Sequence, residues 1–269
     1  MKFSSKRSAV LAGWLVLGVL ALAMPPLASA GPLPAPKPTV VLVHGAFADS
    51  SSWNGVIKRL QDKGYKVIAA ANELRSVKGD AASVRSLVKS VHGPVVLVGH
   101  SYGGPVISEA ATGQDNVKAL VYVAAFAPDV GENAAELSGR FPGSSLGSAL
   151  APPVELADGG KDLYIDQDKF HAQFAADVPA GQASLMAVGQ RPVTDAALHE
   201  ASTSAAWKSI PSWFIYGSAD LNIPPAAQAF MATRAHSRGT VVISGASHVV
   251  MVSHPAEVAA LIEQAAQAK

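Results

Sequence analysis

The sequence contains no cysteine, and this absence excludes several kinds of chemistry. Its 269 residues offer no thiol nucleophile, no disulfide and no cysteine ligand for a metal. Aromatic residues make up only 6% of the chain and charged residues 15%, and the formal net charge is +1. Without a run of like charges, the sequence offers no electrostatic surface for nucleic acid or for an anionic membrane. Stability must therefore come from apolar packing.

Motifs for metals and nucleotides are missing as well. There is no H-E-x-x-H pattern and no compact group of Asp and His residues. No G-x-G-x-x-G follows an expected strand, because the pair Gly103 and Gly104 belongs to another motif. We therefore expect neither a metal nor a cofactor.

The N-terminus has the pattern of an export signal. Three basic residues at positions 2–7 precede an apolar stretch that ends near an A-x-A site at residues 28–30. We predict a signal peptide over residues 1–30 and a protein that is periplasmic or secreted, with no membrane contact after cleavage. Cleavage would leave 239 residues and change the net charge from +1 to −2, since the removed part has no acidic residue. The alternative is an uncleaved anchor, because this segment approaches spanning length.

After a proline-rich linker at residues 31–38, residues 39–269 are predicted to form one α/β domain. Apolar, β-branched runs alternate with helical patterns, which indicates a mostly parallel sheet of about six strands with helices on both faces. The expected strands are 40–43, 67–70, 95–98, 120–124, 213–216 and 241–243. The expected helices are 53–60, 81–91, 105–111, 226–234 and 255–268.

The alternation breaks between about residues 128 and 208, where glycine, proline and alanine are abundant. Helical fragments are expected at 166–176 and 194–208. A long irregular segment inside a compact domain is commonly a lid over an active site. We therefore predict a mainly helical cap at about residues 128–208.

One motif carries the strongest chemical signal. Residues 94–104, PVVLVGHSYGG, join an expected buried strand to a G-x-S-x-G turn that presents Ser101 as a nucleophile. Gly99 and Gly103 stand where side chains would collide as the chain turns into a helix. Such a turn is also expected to hold its serine in a strained backbone conformation.

A serine nucleophile needs a base and a group that orients the base. Asp220 follows the expected strand 213–216, and His248 follows the expected strand 241–243. The order serine, acid, histidine is typical of α/β-hydrolases. We predict these three residues as the catalytic triad.

Each partner has an alternative. Asp129 also follows an expected strand, and His254 lies close after His248 but precedes Pro255 at an expected helix start. His44 and His100 flank glycines at strand ends and are expected to make structural hydrogen bonds near the site.

Four segments resemble the α/β-hydrolase superfamily, and within it the small capped esterases related to plant methylesterases and hydroxynitrile lyases. They are VLVHGAF at 41–47, VVLVGHSYGG at 95–104, YGSAD with IPP at 216–225, and GASHVVMVSHP at 245–255. The resemblance covers nearly all of the mature chain and is weakest in the cap. It implies the hydrolase fold and the triad, and it implies little about the substrate.

An oxyanion hole follows from the same turn. One donor is expected to be the N–H of Tyr102, directly after the nucleophile at a helix N-terminus. The second is expected from the loop at residues 44–47; the resemblance places it at Ala46, with Phe47 as the alternative.

Substrate contacts are expected from Phe47, Trp53 and Phe126. Aromatic and Met side chains more often pack in a core, so we expect two or three of a larger set to line the pocket. That set is Trp53, Phe126, Tyr164, Phe170, Phe174, Met186 and Trp207.

The leading hypothesis is an exported serine hydrolase that cleaves a small-molecule carboxylic ester through an acyl-enzyme. The substrate and the oligomeric state are left open. A first alternative is a cyanohydrin lyase, but such lyases carry a hydroxyl residue at the position of Gly45 and a lysine at that of Val249. Further alternatives are a cofactor-free haloperoxidase or perhydrolase on the same fold, and a non-catalytic binding protein for a small ligand.

Overall fold

The structure, a computed structural model, describes residues 1–2, 9 and 36–268. The chain divides into two units, Met1–Ala35 and Pro36–Lys269. Nearly all of the predicted signal peptide, and residues 31–35 of the predicted linker, lie outside the described residues. Within the described ranges, no helix is long and apolar enough to cross a membrane.

The strands are numbered in chain order. The first four are β1 (Thr39–Val43), β2 (Val67–Ala70), β3 (Val95–His100) and β4 (Val117–Val123). Three short ones follow, β5 (Val154–Glu155), β6 (Lys161–Leu163) and β7 (Val193–Thr194). The last two are β8 (Ser212–Gly217) and β9 (Gly239–Ile243).

The helices are numbered in the same way. Before the cap they are α1 (Asn54–Asp62), α2 (Val77–Ser90) and α3 (Gly103–Ala111). Those between β4 and β8 are α4 (Ala134–Gly139), α5 (Leu146–Ala149), α6 (Gln167–Phe174), α7 (Ala180–Gly189) and α8 (Asp195–His199). The last three are α9 (Pro225–Arg234), α10 (Val250–Ser253) and α11 (Pro255–Gln267). Two 3-10 helices cover Ser50–Trp53 and Ala206–Lys208.

Six strands form the main sheet, in the order β2-β1-β3-β4-β8-β9, and every neighbouring pair is parallel. Each of the six predicted strands is present, which confirms the α/β sheet. The inner strands β1 and β3 are buried at every residue, because helices cover a parallel sheet on both faces. At one edge, β9 alternates half-buried and exposed residues.

The segment between β4 and β8 contains the five helices α4–α8, as the cap prediction requires. It also contains a small antiparallel sheet in the order β5-β6-β7, which the sequence patterns did not predict. The strands of this sheet have only two or three residues, too few to show an alternating pattern.

The helix predicted over 194–208 is broken after α8. In the interruption, the N–H of Ser202 donates to the carbonyl of Glu132 at 2.8 Å. The N–H and hydroxyl of Thr203 donate to the Glu109 carboxylate at 2.5 and 3.0 Å. These donors bind acceptors elsewhere in the fold and not within a helix. Residues 200–205 are therefore not helical, and a helical turn begins again at Ala206–Lys208.

Candidate active site

Ser101 lies at the turn between β3 and α3, in the left-handed region with φ of 52°. A Cβ added to Gly99 would lie 2.5 Å from the carbonyl oxygen of Gly103, and one added to Gly103 would lie 2.5 Å from that of Val43. The turn therefore needs glycine on both sides of the serine. The clash at Gly99 is within the turn, as the sequence indicated, whereas the clash at Gly103 is with the end of β1. The strained serine backbone is also as expected.

Asp220 and His248 form a buried pair. The Nδ1 atom of His248 lies 2.8 Å from Oδ2 of Asp220, and both side chains are almost fully buried. The aspartate follows β8 and the histidine follows β9, which are neighbours in the sheet. The two loops are joined by a hydrogen bond from the N–H of Ala219 to the carbonyl of Ala246, at 3.0 Å.

The orientation of this pair fixes the histidine tautomer. Besides His248, the Asp220 carboxylate accepts from the N–H groups of Asn222 (2.8 Å) and Ile223 (3.0 Å) and from Nε2 of Gln228 (2.9 Å). An ionised carboxylate can only accept, so Nδ1 of His248 carries the proton that it donates. In the neutral form of the ring, Nε2 is then the nitrogen without a proton and is the atom that can act as a base.

Two rings enclose the His248 imidazole. The ring centre of His100 lies 4.8 Å away and that of Phe174 lies 5.1 Å away. The Nε2 atom of His100 is 3.3 Å from the His248 carbonyl oxygen, to which it donates. Burial, and then the neighbouring His248, lowers the pKa of His100 well below its usual value. His100 is therefore a neutral support for the backbone of the histidine loop.

Ser101 and His248 line the same cavity. Among residues 36–268, no hydrogen bond joins the Ser101 hydroxyl to the His248 imidazole. Hydrogen bonds of this kind are often long before substrate binds and shorten in the complex.

The residues expected to supply the oxyanion donors lie close to the serine turn. A Cβ added to Gly45 would lie 2.7 Å from Cβ of Ser101 and 3.0 Å from the Tyr102 nitrogen, so the Ala46 loop reaches the turn. Ala46 and Tyr102 both line the cavity. The N–H of Phe47, the alternative donor, is bound to the carbonyl of Arg191 at 2.9 Å. The geometry therefore favours Ala46 over Phe47 as the second donor.

The cavity has a volume of about 400 Å³. It is lined by Phe47 and Phe126, two of the three residues predicted to contact substrate, and also by Phe174. Of the seven aromatic and Met candidates, Phe126 and Phe174 are on the cavity wall. Much of the remaining wall is apolar and comes from the cap and the Asp220 loop: Ala134, Ala135, Leu146, Leu150, Leu163, Leu198 and Ile223.

Trp53 lies elsewhere, in contrast to the expectation that it contacts substrate. Its side chain is fully buried, and its ring packs edge-on against His100 with centres 6.4 Å apart. It is not part of the cavity wall formed by the described residues. At the end of a 3-10 helix, the indole is directed into the core behind the histidine.

The alternative acid and base have other partners. Asp129 forms an ion pair with Lys208 at 2.5 Å, and this hydrogen bond lowers the pKa of the aspartate. His254 lies 3.0 Å from the hydroxyl of Ser253 and 3.5 Å from Asp177. The structure brings neither residue to the cavity.

His44 makes structural hydrogen bonds, as the sequence suggested. Its Nε2 atom accepts from the N–H of Asn72 at 3.0 Å, and its Nδ1 atom donates to the carbonyl of Gly45 at 3.0 Å. Burial lowers the pKa of His44. This neutral imidazole therefore ties the start of the Ala46 loop, at Gly45, to the backbone of Asn72.

Several contacts were not predicted. Tyr102 donates its hydroxyl to the buried carboxyl of Asp80 at 2.9 Å, which anchors the residue after the nucleophile to α2. Asn222 and Gln228 donate hydrogen bonds to Asp220. Both lie within eight residues after Asp220, and this closeness in sequence could have indicated the contacts. No sequence pattern indicated the contact of Asp80 with Tyr102, because the two residues are 22 positions apart. Within the described ranges, no group of three or more His, Asp or Glu residues is arranged to hold a metal.

The sheet order, the turn at Ser101 and the Asp220–His248 pair together define a class of protein. Residues 40–261 match the alpha/beta hydrolase family. The chain belongs to this family.

The relatives cover nearly the same length. The chain is 27% identical over 250 residues to "Alpha/beta hydrolase nvfD" of Aspergillus novofumigatus, across 86% of this chain and 97% of that one. It is 25% identical over 248 residues to "Esterase PIR7B" of Oryza sativa subsp. japonica, across 82% and 92%. Among solved structures, polyneuridine aldehyde esterase superposes with a TM-score of 0.73 at 18% identity, across 85% and 99%. This last likeness shows the shared fold.

Proposed function

We propose that the protein is a serine hydrolase that cleaves carboxylic esters through an acyl-enzyme intermediate. The observation that carries the proposal is the buried Asp220–His248 pair, at 2.8 Å, on the same cavity as Ser101 in its strained turn. The name of one similar protein, Esterase PIR7B, supports the choice of esters.

In the proposed mechanism, Nε2 of His248 takes the hydroxyl proton of Ser101 as Oγ attacks the ester carbonyl carbon. Asp220 keeps the imidazole in position and stabilises its positive charge. His248 then gives the proton to the departing alcohol. A water molecule attacks the acyl-enzyme by the same route, releases the acid and restores the serine.

The N–H groups of Ala46 and Tyr102 are proposed to stabilise the oxyanion. Each donor of this kind is worth about 3 kcal/mol in the transition state. Tyr102 is well held for this role because its own hydroxyl is bound to Asp80. The Ala46 loop is held through His44 and through the bond from Phe47 to Arg191.

The test is hydrolysis of short-chain nitrophenyl esters by the wild type and by Ser101→Ala. The variant should lower turnover by roughly 10⁶. Ser86→Ala, at an exposed serine on α2, is the matched control and should retain activity. A fluorophosphonate should label the wild type at Ser101. Unchanged turnover in Ser101→Ala would contradict the mechanism, and absence of labelling together with absence of turnover would favour a binding protein.

We also propose that the protein is exported, on the basis of the basic and apolar pattern of residues 1–30. Expression of the full chain in a bacterium, followed by N-terminal sequencing of the protein from the periplasm and the medium, tests this. A mature chain starting at Gly31 is expected. An intact N-terminus in the membrane fraction would show an uncleaved anchor instead.

A further inference from the structure

Asn222 has a buried amide nitrogen without a hydrogen-bond partner. The residue lies on the cavity wall and is 4% exposed. Its Nδ2 atom has no partner within the described part of the chain. Buried polar atoms are nearly always hydrogen-bonded, because leaving one unpaired costs free energy. An unpaired donor beside a substrate cavity therefore points to an acceptor supplied by the substrate.

The orientation of the Asn222 amide follows from its neighbours. Nε2 of Gln173 lies 2.9 Å from the carbonyl oxygen of Leu221, an atom that can only accept, so this nitrogen is a donor. The same nitrogen donates to Oδ1 of Asn222 at 2.8 Å. The hydroxyl of Ser145 fixes the other end of Gln173 by donating to Oε1 at 2.8 Å. This series of hydrogen bonds makes Oδ1 of Asn222 an acceptor, and its Nδ2 atom is left without a partner among residues 36–268.

The other polar atoms of Asn222 are already bound. Its N–H donates to Oδ1 of Asp220 at 2.8 Å. Its carbonyl oxygen accepts from the hydroxyls of Ser138 and Ser144 at 2.9 and 3.0 Å. The backbone of Asn222 is therefore held beside the proposed catalytic acid, and the side-chain nitrogen is the polar atom of this residue that has no partner in the described ranges.

We propose that Asn222 is a specificity-determining residue whose Nδ2 donates a hydrogen bond to an acceptor oxygen of the substrate. The enzyme then selects carboxylic esters that carry a second oxygen, as an ether, a ketone or another carbonyl, over esters with plain hydrocarbon chains. Much of the cavity wall is apolar, and the nearby hydroxyls of Ser138 and Ser144 already donate to the Asn222 carbonyl oxygen. A substrate without that oxygen therefore leaves the amide unpaired. This inference rests on the proposed ester hydrolysis.

The test compares esters that differ by one atom. On the acyl side, nitrophenyl esters of terminal methoxy acids are paired with hydrocarbon acids of the same chain length, with the ether oxygen placed progressively farther from the ester. On the alcohol side, a methoxyethyl ester is paired with the butyl ester. The wild type should show a kcat/KM about tenfold higher for the oxygen-bearing member of at least one pair, in line with one hydrogen bond. Equal values in every pair would overturn the inference.

Variants then assign the preference to the residue. In Asn222→Leu, and in Asn222→Ala as a second variant, the ratio within the preferred pair should fall close to one. Asn54→Leu, at an exposed asparagine at the start of α1, is the matched control and should keep the wild-type ratio. A purely structural role of Asn222 lowers both members of a pair equally and leaves their ratio unchanged, which would also contradict the proposal.

Different results would contradict the proposed role of Asn222 and the proposed ester hydrolysis. If every pair is hydrolysed without preference, the ester hydrolase stands and the role of Asn222 is wrong. If no ester is hydrolysed and Ser101 is not labelled by a fluorophosphonate, the proposed function fails and the role of Asn222 fails with it. The wild-type ratio is measured without any variant, so a variant that does not fold leaves the main comparison intact.

Discussion

Ser247, which directly precedes His248, donates its hydroxyl to the carboxylate of Asp177 in the cap. The same hydroxyl lies 3.3 Å from the carbonyl oxygen of Phe174, whose ring packs on His248. The Oδ2 atom of Asp177 also lies 3.5 Å from Nδ1 of His254. One short segment of the cap thus contacts the histidine loop at three positions, so the docking of the cap and the position of the proposed base are coupled.

The first prediction concerns this contact. Ser247→Ala removes a buried donor to Asp177, and the free energy of unfolding should fall by about 1–3 kcal/mol. Nitrophenyl ester hydrolysis should fall as well, because the histidine loop loses a bond to the cap. Urea denaturation and steady-state kinetics measure the two effects. Ser90→Ala, at an exposed serine on α2, is the control. A variant with wild-type stability and kinetics would show that the contact is incidental.

The second prediction concerns the strain at Ser101. A residue with a Cβ in the left-handed region costs about 1–2 kcal/mol relative to the right-handed region, and glycine avoids this cost. Ser101→Gly should therefore be more stable than Ser101→Ala by roughly 1 kcal/mol, although both variants lack the nucleophile. Thermal and urea unfolding of the pair measure the difference. Equal stability would mean that the turn is not strained by its side chain.

The third prediction concerns acid stability. His44 is neutral in the fold, since Nε2 accepts from Asn72, and burial lowers its pKa below 6.5. Below that value the unfolded chain takes up a proton that the folded chain refuses, so stability is lost as the pH falls from 6.5 toward the lower folded pKa. The loss is at most about 1.4 kcal/mol per pH unit for each such group, and His100 has the same sign.

Urea midpoints at about pH 7.5 and about pH 5.5 test this dependence. Glutamine at position 44 can accept from Asn72 and donate to Gly45 without titrating, so His44→Gln should reduce the loss between the two pH values. The control is His92→Gln, at an exposed position. If His44→Gln loses as much stability as the wild type, the imidazole is not a source of the acid sensitivity.

The fourth prediction compares two glycines. A methyl group at Gly99 would lie 2.5 Å from the backbone oxygen of Gly103, which cannot move without opening the turn. Gly99→Ala should therefore cost more than about 3 kcal/mol or prevent folding. Gly181→Ala, in α7, meets nothing within 4 Å and should stabilise the protein by about 0.5–1 kcal/mol. Circular dichroism melts of both variants measure the contrast, and a stable Gly99→Ala would contradict it.

The main sheet could be predicted because its strands are apolar runs separated by clear helical patterns. Asp220 and His248 could be predicted as a pair because each directly follows such a run, and parallel strands end at the same edge of a sheet. The Ser101 turn could be predicted because its serine and glycines form one short G-x-S-x-G pattern, although the contact that requires Gly103 comes from Val43. In each of these cases the signal is local in the sequence.

The parts that could not be predicted depend on contacts between distant residues. Trp53 appeared suitable for the pocket, but its direction depends on His100 and the packing behind it. The small cap sheet has strands too short to show a period. The bond of Asp80 to Tyr102, and the unpaired nitrogen of Asn222, depend on which side chains meet after folding, and no spacing encodes that.

The position of β9 at the edge of the sheet has a consequence for how activity is lost. The nucleophile turn follows the interior strand β3, whereas His248 follows β9, where Val242 is 51% exposed. Fraying begins at such edges and needs less free energy than global unfolding. On warming, amide hydrogens of β9 should exchange early, and ester turnover should fade with them while the centre of the protein is still protected.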